Sequence, residues 1–359
     1  MSVKLTEIEE TILNRGYGFG NNVLYKLCED FPLEKICKNP DDTISEDKIK
    51  SWIVTSDNNK EYTMVNALAA QMWLIGRSYA AQLERRYYGV KIEWTNSGNG
   101  LDTYLDLLAK ELWNNNYQKF SQILYSLNEK KYRFSGNEDE TDKDILATVI
   151  TAVLNLNRML KKARFAVDFG GDDLDNIKNI LEQNQKKLID SKKDEDRKNV
   201  VKIDDLLNKS ENIVSSLKEK QWNMLSFSSK FLHFHFPEVV FIMDSITKRN
   251  LKGSFSFTVN GKTEHSNIEI TKYDKKTVKN FFTIEKFSDI EESLIKIDKC
   301  PISDAEYDYI KHCVNEYILA KEINNANPDI FKGKYIPRLI DTYVLIANSD
   351  FSDNQELLD

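Results

Sequence analysis

The chain has 359 residues, 41% hydrophobic and 30% charged, with a formal net charge of −7. That length supplies a sizeable core and room for two or three domains, and no apolar run reaches the roughly 18 residues a membrane-spanning helix needs. The acidic balance weighs against a surface coated in positive charge for non-specific nucleic-acid binding, while leaving room for one local basic groove. The N-terminal MSVKLTEIEE lacks an apolar signal core, so the expected location is intracellular and cytoplasmic. Cys28, Cys37, Cys300 and Cys313 form no CxxC pair, and the four histidines lack zinc-finger spacing. Free, mostly buried thiols are the expectation, with no metal or cofactor implied.

In chain order, most of the sequence reads as helix. The GxGxG in 15-RGYGFGNN-22 follows a helix-like segment rather than a strand, and reads as a loop between helices. In 64-MVNALAAQMWLIGRSYAAQLERRYYG-89, Val65, Leu68, Met72, Gly76, Tyr79 and Leu83 share one face, and Gly89 is a natural stop. A second helix covers about 101–127, its Asn run being a point where it could break. The acidic 135-SGNEDETDKD-144 reads as a surface loop. The following helix, 143–166, carries only Arg158 as a charge between Ile145 and Leu160, so it should be deeply buried. The charge run 184–202 reads as a solvated helix or linker and is the best domain boundary. It divides the chain into a helical domain, 1–190, and a second domain, 191–359. Alternating apolar residues around Asn260-Gly261 predict a β-hairpin over 254–273. Helices over 304–323 and 337–348, with Pro337 near the start of the latter, close the chain. The fold class is therefore mainly α with a small β-hairpin insertion.

The stretch 225-LSFSSKFLHFHFPEVVFIMDSITKRN-250 raises a chemical question. Trp222 to Phe227 reads as the end of one helix. Ser226 and Ser228 then bracket a tight connection, and a short second helix is ended by Pro237. Val239 to Met243 is a buried extended or turn segment, and Asp244-Ser245 a helix N-cap. Taken singly, Lys230 reads as a lysine snorkelling past Phe227 and Phe231, and Asp244 as a cap. His233 and His235 face different directions on one helix, which argues against a metal pair.

Taken together, these residues resemble the helix-hairpin-helix DNA glycosylases, in particular the branch like 8-oxoguanine glycosylase. In that family a hairpin leads into a helix bearing a catalytic lysine, and an apolar run ends in the catalytic aspartate. Leu225-Ser226-Phe227-Ser228-Ser229-Lys230 matches the hairpin and lysine, with serines where the family has glycines. Pro237 to Asp244 matches the apolar run. The resemblance spans roughly 205–252, with support from Arg338-Leu339-Ile340-Asp341. It implies that Lys230 is the nucleophile and Asp244 its electrostatic partner, and that Ser226, Ser228, His233, Lys248 and Arg249 contact DNA.

That chemistry needs such residues. A base in a duplex must be flipped out before it is reached. Breaking its N-glycosidic bond builds positive charge on the sugar, which a carboxylate stabilises. A lysine among aromatics loses solvation, and the neutral amine is the form that attacks C1′. Trp73, Arg77, Tyr79 and Arg85 would form a pocket wall, the rings stacking on a base and the arginines holding phosphate. The expected function is excision of a modified base from duplex DNA, in repair or in defence against phage. The rivals are a non-enzymatic helical protein that binds DNA or a partner, and a different nuclease or nucleotide-processing activity.

Overall fold

The computed structural model describes residues 3–4, 17–39, 41–45, 47–48, 61–78, 85–87, 90–92, 102–134, 139–170, 173–191, 194–208, 213–214, 217, 224–243, 247–248, 251, 253–259, 262–270, 278, 281–295, 302–326 and 335–347. In chain order they form β1 (Val3–Lys4), α1 (Tyr17–Asp30), α2 (Leu33–Lys38), β2 (Thr43–Ile44), β3 (Tyr62–Thr63), α3 (Met64–Ser78), β4 (Arg85–Tyr87) and β5 (Val90–Ile92). The order continues with α4 (Asp102–Leu127), α5 (Asp139–Phe169), α6 (Leu174–Ser191), α7 (Asp194–Leu207), α8 (Leu225–His235), β6 (Gly253–Val259), β7 (Lys262–Ile270), α9 (Ile284–Ser293), α10 (Asp304–Ala326) and α11 (Ile336–Ala347). The class is mainly α with small sheets, and no helix of the described residues is long and apolar enough to cross a membrane.

The long helix α5 packs against α4, α6, α8, α9 and α10. Its stretch from Ile145 to Leu160 is buried almost throughout, as its lack of charge predicts. The one charge there, Arg158, is 4% exposed, and a buried charge needs a partner. Its Nε and Nη2 donate to the two carboxylate oxygens of Glu306 at 2.7 and 2.8 Å, and Nη1 donates to the Ile295 carbonyl at 2.8 Å. Glu306 is itself part of the start of α10. It accepts from the Ser303 backbone N–H at 2.9 Å, while Ser303 Oγ accepts from the Glu306 N–H at 3.4 Å, the reciprocal capping box that Ser303-Asp304-Ala305-Glu306 encodes. Burial pushes the Glu306 carboxyl up, but Arg158 and Ser303 outweigh it and hold the group below its ordinary value.

Several expectations are corrected. The glycines of 17–22 lie in α1, not in a loop. Each glycine costs a helix about 1 kcal/mol, and the burial of Leu24, Leu27, Cys28 and Phe31 offsets it. The acidic stretch 139–144 is the first part of α5 rather than loop. Acidic residues suit a helix N-terminus, and Asp142 there is buried, accepting from the backbone N–H groups of Arg133 and Phe134 at 3.0 and 2.7 Å. The described part of α3 ends at Ser78, and Arg85–Tyr87 is a strand paired antiparallel with Val90–Ile92, not the end of a helix. The helix α4 runs through its Asn run without a break. In contrast, the predicted hairpin is present: β6 and β7 pair antiparallel with Val259 opposite Lys262, leaving Asn260-Gly261 between them. Strand β1 adds to it in parallel.

The charge run falls on α6 and α7, whose Lys186, Lys187, Asp190 and Lys202 are exposed. The apolar sides of these helices, with Phe165 and Phe169 of α5, make a small second cluster. The larger cluster draws on residues from Leu24 to Val344, on both sides of position 190. Gly170 ends α5 with φ +68°, and a Cβ there would meet Asn176 Nδ2 at 2.8 Å.

Candidate functional site

The lysine helix α8 is continuous from Leu225 to His235, so no hairpin separates Ser226 and Ser228 from Lys230. This corrects the reading of the serines as a tight connection. Ser228 N–H already donates to the Met224 carbonyl at 2.7 Å, and Ser229 Oγ donates back to the Ser226 carbonyl at 3.2 Å. Serine hydroxyls used this way are compatible with helix. Pro237 does follow the helix end, as predicted, with Phe236 at its C-cap.

Three- and four-residue spacing puts Ser226, Ser229, Lys230 and His233 on one face of α8. Phe227 and Phe231 stack on another at 5.8 Å, and His235 packs on Phe231 at 5.1 Å. Lys230 is 2% exposed, so it does not snorkel to solvent.

The polar face of α8 meets the buried run Val239–Met243, which the sequence predicts as extended or turn. This run belongs to none of the described helices or strands. Buried backbone groups nevertheless need partners, and side chains supply them. His233 Nδ1 donates to the Val240 carbonyl at 2.8 Å, His312 Nε2 donates to the Ile242 carbonyl at 2.8 Å, and Tyr309 Oη donates to the Phe241 carbonyl at 3.5 Å. The Met243 N–H donates to Ser229 Oγ at 3.2 Å. Because a carbonyl only accepts, His233 carries its proton on Nδ1, and its bare Nε2 accepts from Tyr25 Oη at 2.7 Å. Burial pushes His233 down to about 3, so this neutral form persists through the physiological range.

Beyond His312 lie two buried carboxyl groups, Glu316 and Asp341. Glu316, fully buried, is 3.4 Å from His312, and Arg338 and Asp341 on α11 pair at 2.5 Å. Burial opposes a charge on His312, but Glu316 and the Ile242 carbonyl outweigh it and raise its pKa. Glu316 follows His312 by four positions among many other polar residues of α10, so nothing local in the sequence marks its burial. Tyr309 carries no local signal either, its partner being 68 positions away.

The remaining candidates are described only in part. Trp73 is half-buried against the core on α3, a helix that packs on α8. Arg77 is in the last turn of α3 and Arg85 on β4, each with its side chain outside those described. Lys248 is exposed and pairs with Asp308 at 2.5 Å. Asp244, Tyr79 and Arg249 lie outside the described residues.

An open cleft of about 670 Å³ adjoins the C-terminal end of α8, between α1, α2 and α4. Cys28 and Cys37 line it, and burial raises both thiols, Cys37 to about 12, so neither is a thiolate nucleophile. Cys28, Cys37 and Cys313 are free and buried, as expected, and Cys300 is outside the described residues. None of the predicted site residues lines the cleft. No family model, curated protein or solved structure matches the chain.

Proposed function

We propose that the chain is a DNA glycosylase, excising a modified base from duplex DNA with Lys230 and Asp244 as its reacting pair. The observation that carries this reading is the Ser229–Met243 hydrogen bond at 3.2 Å. It ties the residue before Lys230 to the residue before Asp244, closing a separation of fourteen positions. The burial of Lys230 and the packing of the Trp73 helix against α8 support it further.

In this reading the flipped nucleotide enters beside α8, which must part from its neighbours to expose Lys230. The amine nitrogen bonds to C1′ as the C1′–N bond breaks, its electron pair leaving on the base. The C1′–O4′ bond then breaks, O4′ keeping the pair and taking one proton from the nitrogen, which leaves the protonated Schiff base C1′=NH⁺. Asp244 stabilises the positive charge that builds on the sugar.

Borohydride trapping on modified or abasic DNA tests the lysine. A covalent adduct with the wild type that Lys230→Ala abolishes is expected. An undiminished adduct with that variant removes the nucleophile role, as does none with the wild type; the latter leaves a monofunctional enzyme that uses water and Asp244. Arg77→Ala should lower DNA affinity or turnover more than it lowers Tm, and an equal loss of stability would make Arg77 structural.

A second reading, a non-enzymatic protein that binds DNA or a partner, is favoured by the separation of the open cleft from Lys230. It expects Lys230→Ala to leave binding unchanged.

A further inference from the structure

The cleft beside α8 has a composition that selects a ligand class. Its floor is apolar, and its tyrosines come from three regions: Tyr25 on α1, Tyr125 on α4 and Tyr335 before α11. Tyr25 is already packed, with ring centroids 4.9 Å from Phe234 and 5.2 Å from Tyr335. Tyr125 and Tyr335 are 82% and 42% exposed, which leaves ring surface for a further partner. At the rim, Glu29 pairs with Lys26 at 3.5 Å and Glu34 with Lys38 at 2.5 Å. Each carboxylate is thus matched by a lysine, Lys38 itself lining the cleft, so the rim has no surplus positive charge to hold a phosphate. His235, pushed down to about 3 by burial, adds no positive charge. Asn128 carries an exposed amide near Tyr125 that can pair with the edge of a heteroaromatic ring.

We propose that this cleft binds an uncharged planar heteroaromatic molecule of nucleoside size, held by stacking on Tyr125 and Tyr335. Its volume lies within the roughly 300–1,000 Å³ range of small-molecule sites. The site goes beyond the glycosylase reading and shares no predicted residue with it, so either can fail alone.

Titration calorimetry of the whole chain with adenosine, guanosine and adenosine monophosphate tests it. Saturable binding of a nucleoside is expected, weakened about tenfold by Tyr125→Ala or Tyr335→Ala, with the monophosphate binding more weakly than adenosine. Because Tyr125 is exposed, its variant should keep the wild-type Tm, which separates lost binding from lost folding. The proposal is overturned if neither nucleoside binds, if both variants bind as the wild type does, or if the monophosphate binds as tightly as adenosine.

Discussion

His233 and His235 stand two positions apart on α8, and burial holds both down to about 3. An unfolded histidine titrates near 6.5. Between those values the unfolded chain takes up protons that the fold refuses, so acid favours unfolding. His312 has the opposite sign: its raised value adds stability in acid that is lost as pH rises through its folded pKa. Two groups oppose one, and each costs up to about 1.4 kcal/mol per pH unit below 6.5. Tm should therefore fall from pH 7 to pH 5, and His235→Phe should flatten that fall. A Tm that rises toward pH 5 contradicts the two neutral histidines. Glu306 acts in stronger acid. Its depressed value contributes stability above its ordinary pKa near 4.5, lost as pH falls through the folded value. At position 170, where φ is +68° and a Cβ would crowd Asn176, Gly170→Ala should cost about 1–2 kcal/mol in thermal unfolding.

Among elements, the Arg158–Glu306 ion pair links α5 to α10. Glu306→Gln leaves Arg158 buried with a weakened partner and should cost about 3 kcal/mol, against about 1 kcal/mol for Ser303→Ala, which removes only the cap's hydroxyl. Urea unfolding of the two variants orders these costs, and equal values would contradict the pair's role. The elements also separate what was legible in the sequence from what was not. The α5 and α10 helices and the β6–β7 hairpin were legible because long apolar periods and Asn260-Gly261 are local signals. The α1 helix was not, because its glycines argue locally for a loop while the core decides otherwise. The serines of α8 misled for a related reason: serine favours turns but also folds back onto helix carbonyls, as Ser229 does. Strand β4 was read as helix because Arg85, Arg86 and Tyr87 suit both.

At the scale of the whole molecule, the site was legible in part. The buried run after Pro237 and the different directions of His233 and His235 were foreseen. Its support was not, because Tyr309 and His312 reach the run from about 70 positions away. Lys230 was read singly as a surface residue, although the core closes over it. Under the proposed function an acidic chain of this kind would engage DNA through a local surface rather than a uniform positive coat, and the proposed chemistry rests on the junction that Ser229 and Met243 close. Counting abasic sites in genomic DNAs that carry modified bases, after incubation with the wild type and with Asp244→Asn, tests that chemistry directly. Abasic sites that accumulate on a modified DNA with the wild type and not with the variant are the predicted result. Their absence from every DNA tried, or equal accumulation with Asp244→Asn, would contradict it.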